Sequence, residues 1–526
     1  MNLFLVCIIL FLAIFSIKMS NKVGIPSLLI FILIGMIFGY FNNGFENYQL
    51  AQDFSTLALL IIIFQGGFST NFYMARSVAK ESITLSFAGT IITGLLTGLF
   101  CHYVLHFDLL EGLLLGAIVS STDFSCVSNI LKSQKLNLKM QTAPLLELES
   151  GSNDPIAYTM TFTLISALLG NSISSLKLIT AQVVFGVVIG FLVAFAFMKI
   201  VEVKKFDGAG LFIIFILATA FFAFSFSEFI KGNGYLAVYI LGIYIGNKEF
   251  KGKRESVFFL DGLTALMSVG LFFILGFLSD PAKVVKSLPI AFVIMLFMFI
   301  ISRPLAVFGL MSFFKSNRDQ KLIISVAGIR GAAAIAFAIL TVNSGVVLKN
   351  DIFHIVFAIC LLSTALQGYL LPVMCKKLNF MDPSETVFKN FNDYQDRSDI
   401  GFITTLITED SHLVNQPISE INPTFNLIVA KIVRNGKTIV PKGSTVLKAG
   451  DKIVIGGEHY FDKSGYQLTE FTIPKKHEWI GKKVRDLNIG EDELIVMIQD
   501  KDGKIVVPNG NTQIFENDKI IKMTNK

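Results

Sequence analysis

Charge is what this sequence is short of. Of its 526 residues only 16% are Asp, Glu, Lys or Arg, against about 25% in a soluble domain. Most of the chain is therefore not built to face water. Cysteine is scarce as well. Cys7, Cys101, Cys126 and Cys360 lie in or beside apolar runs and Cys375 closes one. No spacing among them suggests a disulfide framework or a metal site, which leaves packing. The six histidines show no ligand spacing, and His102 and His106 fall at i,i+4 in what reads as a solvated loop. The lone tryptophan, Trp479, reads as core of a small C-terminal unit. A single G-x-G, at 232–234, follows no strand of a βαβ unit, so the chain lacks a nucleotide-binding Rossmann half.

What is present is apolar and periodic on the scale of a bilayer. Hydrophobic residues make up 53% of the chain and the mean hydropathy is +0.64. Runs of about 20 residues match the length that crosses the hydrocarbon core as a helix. Thirteen spans are predicted, near 3–19, 25–41, 53–69, 83–104, 109–131, 141–170, 176–200, 209–229, 233–247, 257–279, 286–313, 320–343 and 351–375. The first, "MNLFLVCIILFLAIFSIKM", lacks a basic start and a small-residue cleavage site, so it is expected to be retained as a span.

The loops sort by charge. One alternate set carries nineteen Lys and Arg, including Arg76, Lys132, Lys139, Lys199, Lys253 and Lys377; the other carries five, from Lys177 to Lys349. The positive-inside rule puts the first set in the cytoplasm, the N-terminus outside and the C-terminus inside, in a multi-pass protein of the cell membrane. The net charge of +6 is thereby a loop bias rather than a nucleic-acid surface.

Past Phe380 the character changes. A polar linker, "MDPSETVFKNFNDYQDRSD", leads into short alternating strands with turn signals "RNGK", "KAGD" and "DKDGK". "IVPKGSTVLKAGDKIVIG" (439–456) repeats as "VVPNGNTQIFENDKIIKM" (506–523) at an offset of 67. The expected organisation is a transmembrane domain at 1–378, a linker at 379–397, and two related α+β units at 398–460 and 467–526.

Inside the apolar part, certain polar residues need explaining. "LELESGSNDPIAYTMT" (146–161) holds Glu147, Glu149 and Asp154 within the sixth span. An acid at the bilayer centre costs roughly 2.5–3.5 kcal/mol on mild insertion scales, which marks such residues as functional. At about 100° per residue Glu147, Ser150 and Asp154 share one stripe, and Glu149 and Asn153 another. Pro155 is expected to bend the helix and free the carbonyl near Gly151. The first stripe offers oxygens to a hard cation; the second suits an arginine from another helix, for which Arg303 in "FIISRPLAVF" is the candidate. Helix breaks are expected at "VSSTDFSCVS" (119–128), around Asp123, and at "AGIRGAAA" (327–334), around Arg330. These take corresponding places if spans 1–6 and 8–13 are repeats, and paired interruptions point to the ion site of a transporter. Four intramembrane acids against two arginines leave negative charge for protons or cations to balance.

"SSTDFS", "LELESGSNDP", "SRPLAV" and "GIRGA", in that order, resemble the monovalent cation:proton antiporter-1 family, NhaP type, over residues 3–377. "GNGYLAVYILGIYIGN" (232–247) is similar to the family's ninth span, and the tail resembles the TrkA-C regulator of potassium conductance. The resemblance implies an all-α polytopic fold of about thirteen helices, an inverted-repeat homodimer with two interrupted helices and a small α+β cytoplasmic tail. It implies a non-enzymatic antiporter exchanging potassium or sodium for protons in cation and pH homeostasis, with no cofactor and with lipids as surroundings. Asp154 would bind proton or cation in turn, with Thr122, Asp123 and Ser150 lining the site. Asn153, Glu149 with Arg303, and Arg330 would support it. One departure is Gln65, in "IIFQGGFST", where many relatives carry an acid.

Two other functions compete. An intramembrane aspartyl protease could use Asp123 and Asp154, but neither has a G-x-G-D context. A channel is less suited to carboxylates balanced by exchangeable protons. Sequence leaves open potassium against sodium, the stoichiometry, the dimer interface, and whether the tail senses a nucleotide, an ion or a partner subunit.

Overall fold

Apolar length makes the helices, and polar caps fix where several begin. Asn47, Asn233, Asp280, Asn317 and Asp351 each accept a backbone N–H of the turn that follows, satisfying donors a helix start leaves bare. The computed structural model describes residues 11, 14, 27–41, 47–70, 76–134, 136–170, 175–203, 209–248, 250, 252–381, 400–409, 411, 413–420, 428–458, 468–490, 493–500, 505–506 and 508–524. All of the expected first span but Phe11 and Ile14, and nearly all of the linker, lie outside these.

The membrane part comprises α1 (Ser27–Phe41), α2 (Tyr48–Ser69), α3 (Ala79–Tyr103), α4 (Leu109–Ile118), α5 (Phe124–Ser133), α6 (Thr142–Leu168) and α7 (Ser175–Val203). It continues with α8 (Ala209–Phe229), α9 (Gly234–Gly246), α10 (Lys253–Leu278), α11 (Pro281–Met311), α12 (Arg318–Val326), α13 (Ala332–Asn343) and α14 (Ile352–Lys377). Seven of these are long and apolar enough to cross a membrane: α2, α3, α7, α8, α10, α11 and α14. Each expected span from the second onward falls on helix, the fifth as α4 with α5 and the twelfth as α12 with α13.

One expectation needs correcting. The helix breaks are shorter than the polar stretches that signalled them, covering 119–123 and 327–331. Helix resumes at Phe124 and Ala332 because "FSCVS" and "AAAIA" hold no residue that stops it. Pro155 lies inside α6, which runs on through it. Its carbonyl accepts from Asn233 Nδ2, before α9, at 2.7 Å and from Thr159 Oγ1 at 3.0 Å.

Packing is tight where glycine permits it. Gly98 of α3 and Gly112 of α4 meet so closely that a β-carbon on either would sit within 3 Å of the other helix's backbone. Short π-helical turns occur in α3 at Leu85–Gly89 and in α11 at Met298–Ser302, the fourth and eleventh spans. The second turn ends at Arg303, a re-aiming of the chain often found at functional sites.

The C-terminal unit, described by itself, is strand-rich. Strands β1 (Ile400–Leu406), β2 (Ile428–Arg434), β3 (Lys437–Ile439) and β4 (Lys452–Glu458) form an antiparallel sheet in the order β1-β4-β2-β3. Strands β5 (Leu468–Thr472), β6 (Glu493–Gln499), β7 (Ile505–Val506) and β8 (Lys519–Thr524) repeat it as β5-β8-β6-β7. Both sheets carry a bulge at matching places, Val429/Lys431 and Ile495/Met497. Among the described residues the helical content here is confined to 3-10 turns at Ile418–Glu420 and Val484–Asp486. Asn435 and Gly436, both at positive φ, make the two-residue β2–β3 turn. Trp479 packs with Ile473, Ile498 and Ile520 in the second core. In the first repeat Arg434 grips the buried Asp451 with two bonds of 2.7 Å. That grip holds the Asp451 carboxyl below the usual carboxylate range.

Candidate functional site

The two broken segments lie against each other. Asp123 donates its backbone N–H to the Ile329 carbonyl at 2.8 Å. Gly331 approaches Asp123 so closely that any β-carbon there would overlap its carboxylate, so only glycine fits.

Each break exposes helix ends that must find partners. The end of α4 and the residues after it present carbonyls; Arg330 donates Nη1 to Ser120 O at 2.7 Å and to Ser121 O at 2.8 Å. A guanidinium thus stands at a negative helix end. Asp123, directly before α5, accepts from Cys126 N at 3.3 Å and places a carboxylate at a positive one. The second break is held by α14: Ser363 Oγ accepts from Arg330 N at 3.1 Å, and Thr364 and Gln367 donate to the carbonyls of Arg330 and Val326.

Helix α6 carries its polar stripe across the first break. Ser150 Oγ donates to Thr122 O at 2.6 Å, and Asn153 Nδ2 donates to Thr122 Oγ1 at 2.5 Å. Asn153 is fully buried, so its amide is committed to the loop. Asp154, the next residue, is part-exposed and accepts from the Ser121 hydroxyl. The structure therefore brings Thr122, Ser150, Asn153 and Asp154 into one cluster, with Asp123 and Arg330 on the backbone that shapes it. Carboxylate, hydroxyl and carbonyl oxygens are what a hard monovalent cation takes.

Glu149 and Arg303 meet elsewhere on α6. Arg303 Nη2 lies 2.6 Å from Glu149 Oε1, with side-chain exposures of 3% and 1%. A cavity of about 10 Å³ beside them, lined by Arg303, Arg330, Gly328, Ser363 and Gln367, has room for one water.

Several contributors were missed from sequence. Ser121 and the α14 residues Ser363, Thr364 and Gln367 signal only as a polar streak, "LSTALQG", in the last span. Three further acids stand on helices of the membrane part. Glu111, 2% exposed, accepts from Asn350 N at 2.8 Å. Glu228 sits in the last turn of α8, and Asp261 of α10 accepts from Gln65 at 2.6 Å. Among the described residues no group of His, Cys, Asp and Glu could hold a resident metal ion.

Residues 7–377 match the family described as sodium/hydrogen exchanger, transmembrane. The chain belongs to that family. Members exchange monovalent cations for protons, and this exchanger is accordingly an integral membrane antiporter. Residues 404–459 and 468–524 each match the TrkA-C domain. The exchanger is 31% identical over 456 residues to the K(+)/H(+) antiporter NhaP2 of Shewanella oneidensis, covering 84% of this chain and 78% of the relative. It is 28% identical over 465 residues to the K(+)/H(+) antiporter NhaP of Alkalimonas amylolytica, covering 86% and 81%. In fold it is similar to the sodium proton antiporter MjNhaP1 from Methanocaldococcus jannaschii, with a TM-score of 0.63 and 23% identity over 70% of this chain and 97% of that one.

Proposed function

We propose that the exchanger trades potassium for protons one for one, with Asp154 as the carboxylate that holds either. The observation that carries this is the contrast within α6: Asp154 is part-exposed and bonded to a neutral hydroxyl, while Glu149 is buried on Arg303. An amide at Asn153 cannot titrate, which leaves one exchangeable proton at this place. Thr122 and Ser150 line the site with Asp123, Asn153 supports it, and Arg330 braces the loop. Potassium over sodium is favoured by the names of the relatives that share the tail as well as the membrane part. The chain divides into a membrane domain at 1–378, a linker at 379–397 and two tail units at 398–460 and 467–526; support comes from its separation into two compact units and from the two TrkA-C matches in the second. The tail then serves as a regulator on the cytoplasmic side of a homodimer, taking a nucleotide or ion ligand. Cation-evoked dequenching of a pH dye in vesicles, with potassium, sodium, lithium and rubidium in turn, tests the reading. A response to potassium at the lowest concentration is expected; none to any of the four defeats it.

A further inference from the structure

The exchanger needs a route to Asp154 from each side of the membrane, and one of them has an identifiable floor. Helix α9 has 13 residues, about 20 Å of helix against a core of about 30 Å. Its start is tied to the middle of α6 rather than to its end. Asn233, before its first residue, donates to Pro155 O at 2.7 Å and to Thr159 Oγ1 at 2.9 Å. These α6 residues lie thirteen and nine positions before Leu168, the last of α6. At 1.5 Å per residue the α8–α9 turn sits about 14–20 Å below that end. The turn lies at the depth of the residues just beyond Asp154.

A part-exposed carboxylate stands there. Glu228 Oε1 accepts from Gly234 N at 2.9 Å, and both its oxygens lie within 3.4 Å of Tyr158 OH. Among the described residues these are its hydrogen-bond partners, and both are neutral donors. Tyr158 is one helical turn beyond Asp154 on the same stripe of α6. Its ring meets Tyr235 of α9 edge-on at 4.9 Å and Phe337 of α13 at 5.8 Å. The three rings thus join α6, α9 and the second half of the broken twelfth span around Tyr158, which touches Glu228.

We infer that Glu228 is a second monovalent-cation site, at the floor of the entrance on the face where α6 ends, and that Tyr158 bars the way from it to Asp154. The inference rests on the antiport reading above. By the charge bias of the loops this face is the exterior. A cation arriving there replaces the Tyr158 hydroxyl on the Glu228 carboxylate, which frees the ring to move from the path. A carboxylate that serves one entrance acts on one face of the membrane, whereas a residue that only holds helices together acts on both.

The test is exchange by the full-length protein in right-side-out and everted vesicles, with potassium as the probe. Glu228→Gln is expected to raise the half-saturating potassium concentration at the face where α6 ends by about tenfold, as expected for losing one charged contact. The opposite face should keep its value. Tyr158→Phe is expected to shift the same face alone, and the double variant to go no further than Glu228→Gln. Should Glu228→Gln melt early, Tyr158→Phe, which keeps the ring, carries the test. Equal shifts on both faces, a shift on the opposite face, or no shift on either overturns the inference while the antiport reading stands. Absence of exchange in the unaltered protein sinks both.

Discussion

Glu149 and Asp154 stand five residues apart on one helix and live in opposite circumstances. Glu149 is 1% exposed against a guanidinium 2.6 Å away. Asp154 is part-exposed, and a serine hydroxyl donates to it. The first charge is balanced by the protein itself, so adding a proton or a cation gains nothing. The second is balanced by nothing of opposite sign among its hydrogen-bond partners, so a proton or a cation must supply the difference. Membrane acids are read too simply when each is taken as a site. What separates a brace from a carrier is the partner.

The largest expected effect breaks the contrast from the carrier's side. Asp154→Asn should reduce exchange to background while detergent melting stays normal, because an amide cannot alternate between proton and cation. Undiminished transport by the folded variant would move the exchanging group elsewhere. Attacking the brace should cost stability instead. Arg303→Ala leaves Glu149 buried and without its charge partner, a loss of about 3–5 kcal/mol for buried pairs. Adding Glu149→Ala should recover part of it, read as a rise in melting temperature; a double variant no better than the single would show the two are not energetically coupled.

The tail offers a milder version of the same comparison. Asp451 and Asp518, 0% and 3% exposed, each cap a turn, accepting from Lys448 N and Phe515 N. Only in the first repeat does an arginine reach in; at an offset of 66 residues the second repeat has Asp500 in that place. Arg434→Ala should weaken the first sheet by about 1–3 kcal/mol near neutral pH, as for a hydrogen bond to a charged group. Because Arg434 lowers the folded-state pKa of Asp451, its contribution is present above the ordinary carboxylate pKa and is lost as pH falls through the depressed value. Amide exchange of β2 and β4 should then distinguish variant from parent at pH 7 and converge on acidification. A pH-independent difference would assign the effect to packing.

The smallest effect is a predicted zero. With Glu149 held by Arg303 and Asn153 unable to titrate, one carboxylate carries one proton or one monovalent cation. An imposed membrane potential should leave unchanged the cation gradient at which net exchange stops. A shift with voltage would bring Asp123, Glu147 or Glu228 into the count as a second proton carrier.

From sequence alone, the spans, their breaks and the strand-rich tail follow, since apolar length, polar interruption and turn residues are local properties of the chain. The two breaks were legible because Asp123 and Arg330 are too costly in lipid without a cavity or a partner. The partners themselves were decided by tertiary structure. That Arg330 serves the carbonyls of Ser120 and Ser121, that α14 holds the second break, and that Asn153 is tied to Thr122 depends on helices distant in sequence crossing at one depth. Glu228 shows the limit most clearly. In "FSFSEFIKGNG" it reads as a charge at the end of a span, where water would reach it. Asn233 ties the turn after it to Pro155 and Thr159, and the carboxylate comes to lie beside Tyr158 of α6. Composition records which side chains are costly to bury. How deep each is buried, and against what, is set by helix lengths and crossings that no local stretch contains.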